Sequence, residues 1–347
     1  MSGGVAEGYE RGWVTVGVDV GGTKTHLALS SGEQEIVPSY DWHRGGLGRV
    51  AQGISDLLRS ITPAVPAALA VGSHGCNDRV LCARLEQSLH ARVGDIPILV
   101  VNDAELLLPS VRAPAGVGLV AGTGSVVVGY DAAGDLAIAG GWGGYIGDEG
   151  SSTGMFRDAA RAVAEAYDRG EADDPLVGLL CASLEINHVR ELPAVLDRFA
   201  SPPAWAHLTP KLFSQALERG SALILKVIEQ QALALATLVV DVRIRGAAVD
   251  TVVAAGGVVV NAPWFQDALR RALAVRCPAS TLIVLGEPPV VGALNLAEDL
   301  ALLSAGLEPK GSIGPVLGHE FPALASVGGA LSPGAAAHST QEGTRRL

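Results

Sequence analysis

Five short segments carry residue types that could handle a phosphorylated ligand. The first, VGVDVGGTKTHLALSS, runs from Val16 to Ser31 and sets Asp19, Gly21, Gly22, Thr23 and Lys24 where one apolar run turns back into another. Glycines at such a junction leave backbone N–H groups open to an anion. The Thr23 hydroxyl can donate to a phosphate oxygen. Asp19 can hold magnesium directly or through its waters, since that ion favours one or two carboxylates plus substrate phosphate. A Gly-Gly hairpin turn also forms for conformational reasons alone.

The second segment, VGLVAGTGSVVVGYD, repeats the design with Gly122, Thr123, Gly124 and Ser125 between two apolar runs. Two such turns facing each other across a cleft would grip a polyphosphate from both sides. The third, ILVVNDAELLL, ends a buried strand on Asn102 and Asp103. Ligand sites in α/β sheets lie at such strand ends, and a carboxylate there can take the proton of an attacking hydroxyl. The same pair could instead cap the helix that follows. The fourth, GGWGGYIGDEGSSTG at 140–154, suits a loop that approaches a ligand closely and can move. Its Asp148 and Glu149 are available to sugar hydroxyls or to the dipole of the next helix. In the fifth, VVAAGGVVVNAPWF, Gly256 and Gly257 offer a flat surface to a purine or ribose, or make an ordinary tight turn.

The apolar periodicity predicts the elements that must position these residues. Strands are expected near 14–19, 25–30 and 34–38, a helix over 47–61, a strand at 67–72, a helix at 80–92 and a strand at 97–101. The pattern then restarts, with strands near 117–121, 125–130 and 135–139 and a helix from Ser152 to Tyr167 capped by Ser151 or Ser152. A helical insert follows, with one long apolar helix near 211–241, and then strand 251–257, helix 264–275, strand 281–285 and helix 290–304. The order βββαβαβα occurs twice, which predicts two α/β domains, each a mixed sheet covered by helices, with a cleft between them.

Composition narrows the function classes. The 347 residues are 48% hydrophobic and 18% charged, enough for a large core. The net charge of −11 argues against nucleic acid and anionic membrane, which need a basic patch, and leaves nucleotides open. Cys76, Cys82, Cys181 and Cys277 include no C-x-x-C pair, so a zinc site is not expected and reduced thiols of a cytoplasmic protein are. From about Leu307 onward, Gly, Ala, Pro and Ser dominate without periodicity, predicting a flexible or surface-draped tail over 306–347.

The ordered set DVGGTKT, NDAE, AGTGS, GGWGGYIGDEGS, AAGGVVVN and PPVVGALNLA resembles the acetate and sugar kinase, Hsc70 and actin superfamily. Within it the chain resembles the N-acetylglucosamine kinase branch of the BadF/BadG/BcrA/BcrD ATPases. The resemblance implies two ribonuclease H-like, actin-like ATPase domains, 13–112 (joined by helix 290–305) and 113–289. It implies ATP and Mg2+ as cofactors, a small-molecule sugar substrate and a homodimer. By position, Asp19 would organise magnesium, and Gly21, Gly22, Thr23, Lys24, Gly122, Thr123 and Gly124 would face the ATP phosphates. Gly256 and Gly257 would lie by the adenosine, with the Ala206 region as a neighbour. Asp103 would be the base toward the sugar 6-hydroxyl, and Asn102, Gly141, Trp142 and Asp148 would line the sugar site.

One departure bears on the sugar. Members acting on N-acetylglucosamine tend to carry a sugar-binding asparagine before the first helix, whereas SYDWHRGGLGRV at 39–50 has none. His43 or Arg44 could replace it, and another hexose or a specialised sugar stays open. A reading of another class is an ATPase that activates a partner enzyme. Its iron–sulfur form would need suitably placed cysteines, and Cys76 and Cys82 are the only close pair.

Overall fold

The computed structural model describes residues 12–39, 42 and 45–311. His43, Arg44 and most of the expected tail lie outside the described residues. Two five-stranded sheets form the frame. The first contains β1 (Thr15–Val20), β2 (Lys24–Leu29), β3 (Gln34–Pro38), β4 (Ala68–Ser73) and β5 (Ile98–Val101) in the order β3-β2-β1-β4-β5. The second contains β6 (Val117–Ala121), β7 (Ser125–Tyr130), β8 (Leu136–Gly140), β9 (Thr251–Ala255) and β10 (Thr281–Val284), and read as β8-β7-β6-β9-β10 its order is the same. In each, the first three strands are antiparallel and the last two join in parallel.

Parallel strands need both faces covered, so they read as continuous apolar runs. β4 and β5 are buried at every position, while edge strand β3 is largely exposed. Helices α1 (Leu47–Ile61) and α2 (Arg79–Val93) cover one face of the first sheet. Val50, Ile54, Leu57 and Leu58 of α1 pack with Val18, Leu69 and Val71. After β5 the chain makes a 3-10 turn, Asp103–Leu106, and only a four-residue helix, α3 (Leu107–Ser110). Helix α4 (Ser152–Asp168) follows β8, and Ser151 caps it by accepting from Gly154 N at 3.1 Å.

The insert holds α5 (Pro175–Ser183), α6 (Leu192–Leu196), α7 (Thr209–Glu218) and α8 (Ala222–Ile244). The single helix expected near 211–241 is therefore two. Gly220 takes φ +70° and stops the first, and Ser221 caps the second by accepting from Ile224 N at 3.1 Å. Helix end and helix start signals stand side by side there. α8 is long and apolar enough to cross a membrane by length and composition. Ile224, Val227, Leu235 and Val239 instead place it in the core of the second half.

Helices α9 (Gly257–Asn261) and α10 (Pro263–Arg276) lead to β10, and α11 (Val290–Ser304) closes the fold. α11 packs on the first sheet, with Ala293, Leu296 and Leu300 against Ala70, Leu99 and Val101. Gly17 permits this contact, because a Cβ there would sit 2.4 Å from Leu294 N. The chain past α11 lies against it as far as it is described: Lys310 N donates to Asp299 Oδ1 at 2.7 Å.

Candidate active site

Three parallel strands deliver Asp19, His74 and Asp103 to one edge of the first sheet. Asp19 stands opposite Gly72 in the β1–β4 register, and β5 ends two residues before Asp103. His74 N donates to Val20 O at 2.8 Å, extending the parallel pairing past the end of β4. The imidazole Nδ1 then stands 3.7 Å from Asp103 Oδ2. Interaction with Asp103 raises the pKa of His74 against the effect of burial, and the Asp148 charge from the other half adds to the rise. Burial, and then the Asp103 charge, push the Asp19 carboxyl up to about 7, with Lys24 pulling the other way.

The Asn-Asp pair divides its two expected roles between its members. Asn102 is buried and caps the 3-10 turn, its Oδ1 accepting from Ala104 N at 3.0 Å while Glu105 Oε1 accepts from Asn102 N at 2.7 Å. Its Nδ2 donates to Cys76 O and Asn77 Oδ1, so the amide is engaged by the chain itself. Asp103 keeps a side chain 19% exposed, with Oδ1 accepting from Ala104 N and Oδ2 toward His74.

Each glycine turn is tied back by its carbonyls. In the first, Ser39 Oγ donates to Gly21 O at 2.7 Å and Ser39 N to Thr23 O at 3.1 Å. In the second, Ser152 N donates to Gly122 O at 2.8 Å and Thr153 Oγ1 to Thr123 O at 2.7 Å. The N–H groups of Gly21 and Gly122 close their own turns, on Lys24 O and Gly124 O. The ligand-facing groups left at each turn therefore come from the residues that follow, and Gly22, Thr23, Lys24 and Thr123 are exposed.

Gly256 brings the fifth segment against the second turn. Its φ is +103°, and a Cβ there would lie 2.4 Å from Ala121 O. A Cβ on Gly122 would be 3.7 Å from Gly257 N, so the AGTGS and AAGG turns share one surface. Asp148 lies beneath it, buried, at φ +63°, with Oδ1 accepting from Ser125 N at 3.2 Å. Burial raises its pKa. Gly141 and Trp142 are exposed on the loop above, which Arg157 Nη1 pins through Gly144 O and Gly147 O at 2.9 and 2.5 Å. Ala206 is buried behind this region, next to Trp205, whose Nε1 donates to Thr153 O.

The profile of the BadF/BadG/BcrA/BcrD ATPase family matches residues 16–297. The chain belongs to this family. It is 24% identical over 307 residues to an N-acetylmuramic acid/N-acetylglucosamine kinase of Clostridium acetobutylicum, covering 81% of this chain and 97% of that one. It is 27% identical over 228 residues to an N-acetyl-D-glucosamine kinase of Dictyostelium discoideum, covering 58% and 71%. A solved structure from Chromobacterium violaceum, provisionally named an N-acetylglucosamine kinase, superposes with a TM-score of 0.63 at 22% identity, over 82% of this chain and 99% of that one. A ROK family glucokinase of Streptomyces griseus in complex with glucose and AMPPNP superposes at 0.54 and 17%, over 82% and 99%. The fold is the two-domain, actin-like ATPase fold that the motifs led one to expect.

Sequence reasoning missed three residues of this candidate site. His74 had a visible signal, a titratable side chain just past a fully apolar strand. Ser39 and Arg157 had none, because each acts on a carbonyl distant in the chain.

Proposed function

We propose that the protein is an ATP-dependent kinase of an amino sugar, N-acetylglucosamine or glucosamine, acting on the 6-hydroxyl. The observation that carries this reading is Asp103. It is a carboxylate held at a parallel strand end, partly exposed, near a glycine turn preceded by a second carboxylate, Asp19. The names of the two curated relatives support the sugar class.

Within this reading Thr23, Lys24, Thr123 and Gly124 contact phosphates, and Gly256 and Gly257 lie along the nucleoside. Gly141, Trp142 and Asp148 belong to the sugar side, with Asp148 acting through the Ser125 amide that it holds. Asp103 accepts the proton of the attacking hydroxyl, and enclosure between the halves excludes water that would otherwise take the phosphoryl group. Asp19 is the residue that would hold Mg2+. Its carboxyl lies within reach of the Asp103 charge, a second anion whose repulsion a bound cation would offset. Among the described residues no cluster of three or more His, Cys, Asp or Glu forms a metal cage. This fits a magnesium held by one carboxylate, waters and phosphate. When bound, it neutralises phosphate charge.

The partner-activating reading has less support. Cys76 and Cys82 are buried, and Cys82 Sγ points to Cys76 O at 3.9 Å, inside one chain. The proposal includes a cytoplasmic homodimer that binds neither nucleic acid nor membrane. The test is ADP release with ATP and Mg2+ against N-acetylglucosamine, glucosamine, N-acetylmuramic acid, N-acetylmannosamine, glucose and no sugar. Stimulation by an amino sugar is expected. Equal turnover without sugar would favour the partner-activating ATPase.

A further inference from the structure

A relay of three side chains joins the second half of the molecule to the turn that carries Asp103. Arg79, the first residue of α2, donates from Nη2 to the Tyr130 hydroxyl at 2.6 Å and to Glu105 Oε2 at 3.2 Å. Glu105 Oε1 accepts the Asn102 N–H at 2.7 Å. Tyr130 ends β7 of the second sheet, and the Arg79 guanidinium also lies 5.5 Å from its ring centroid. The Glu105 side chain is 1% exposed, and its two oxygens reach a backbone amide of the Asp103 turn and this guanidinium.

We propose that Arg79 is a positioning residue for Asp103. It holds the Glu105 carboxylate in the orientation that caps Asn102, and through Tyr130 it fixes that turn relative to the second half. The inference rests on the kinase reading, since it assigns Asp103 the proton-accepting role. The physics is that of a buried ion pair with divided duties. Without Arg79 the buried Glu105 carboxylate loses a charge partner that fixes its orientation. The carboxylate is then freer to turn, which loosens its hold on the Asn102 amide. A shift of about 1 Å in a reacting group costs up to about 100-fold in rate.

The experiment uses the full chain and the ADP-release assay with its best sugar. Arg79→Met is expected to lower kcat about 30-fold with KM for ATP and sugar within about threefold, and Tyr130→Phe to lower kcat about threefold. Each change is then repeated with Asp103→Asn. A residue that acts only through Asp103 adds less than about twofold in that background, because its target is already gone. An effect that multiplies through in Asp103→Asn, or an unchanged kcat in both single variants, overturns the inference. If Arg79→Met gives no cooperative melt, Tyr130→Phe decides by the same comparison. Absence of sugar-stimulated turnover in the unaltered chain would sink the kinase reading and the inference with it. Turnover that the variants leave intact would sink the inference alone.

Discussion

The two glycine turns occupy equivalent places in equivalent sheets, yet they are built for different work. The first spans 21–24 between paired Val20 and Thr25, and the second spans 122–124 between paired Ala121 and Ser125. Both have their carbonyls tied back by a serine or threonine that arrives later in the chain. One residue before the end of its strand, β1 carries Asp19 where β6 carries Val120. The first turn sits among Asp19, His74 and Asp103, and among the described residues a Cβ on Gly22 would find nothing nearer than His74 Cδ2 at 3.9 Å. The second is packed from below by Asp148 and from the side by Gly256. The duplicated frame supplies two phosphate-sized turns. The first half adds ionisable groups to its turn and the second adds packing.

Removing the proposed base tests this division most severely. Asp103→Asn is expected to cut turnover by about 1,000-fold while leaving ATP affinity within about threefold, read by ADP release and calorimetry. Near-normal turnover would move the chemistry elsewhere.

The next contrast pairs two glycines. Gly256→Ala forces a Cβ against Ala121 O at a φ of +103° and is expected to destabilise the fold by about 2–4 kcal/mol. Gly22→Ala meets no close contact among the described residues and should leave the melting temperature within about 2 °C, given about 4 °C per kcal/mol at most for a chain of this size. Equal destabilisation would mean that the first turn is as tightly packed as the second.

Smaller again is the effect of a hydroxyl. Thr23→Val should weaken ATP binding about tenfold and sugar binding less, because a charge-assisted hydrogen bond to phosphate contributes about 1.5–3 kcal/mol. Loss of sugar affinity alone would show that the phosphates lie elsewhere.

The last contrast concerns stability and its pH dependence. The folded-state pKa of Asp19 is raised from 3.8 to about 7, so the native chain keeps a proton that the unfolded chain releases. Stability from this group is therefore lost as pH rises from about 4 to about 7. In chelator, Asp19→Asn should raise the melting temperature at pH 8 and leave it nearly unchanged at pH 4. A fall at pH 8 would contradict the burial of that charge.

Much of this was legible in the chain alone. The helix expected over 47–61 spans Leu47–Ile61, because one apolar face and a following Pro63 leave little freedom. The repeated βββαβαβα order was readable because both sheets are built from short apolar runs with glycine punctuation. The helix split at Gly220-Ser221 was readable too, but the apolar period carried across it. Asn102 and Asp103 show where local reading stops. Cap and base are both sound inferences from residue type, and only the contacts with Glu105, Cys76 and Asn77 assign the cap to Asn102, while Asp103 stays partly exposed at the strand end.

The sequence by itself determined the elements, their order and the residue types at each strand end, because hydrophobic periodicity and turn chemistry act over a few neighbouring residues. Tertiary structure alone decided which charges meet. His74 lies 29 positions from Asp103, and Tyr130 lies 51 from Arg79. Parallel strand order and the approach of the two halves bring these groups within a few ångströms. Coulomb interactions and desolvation depend on distance and burial in space, not on separation along the chain.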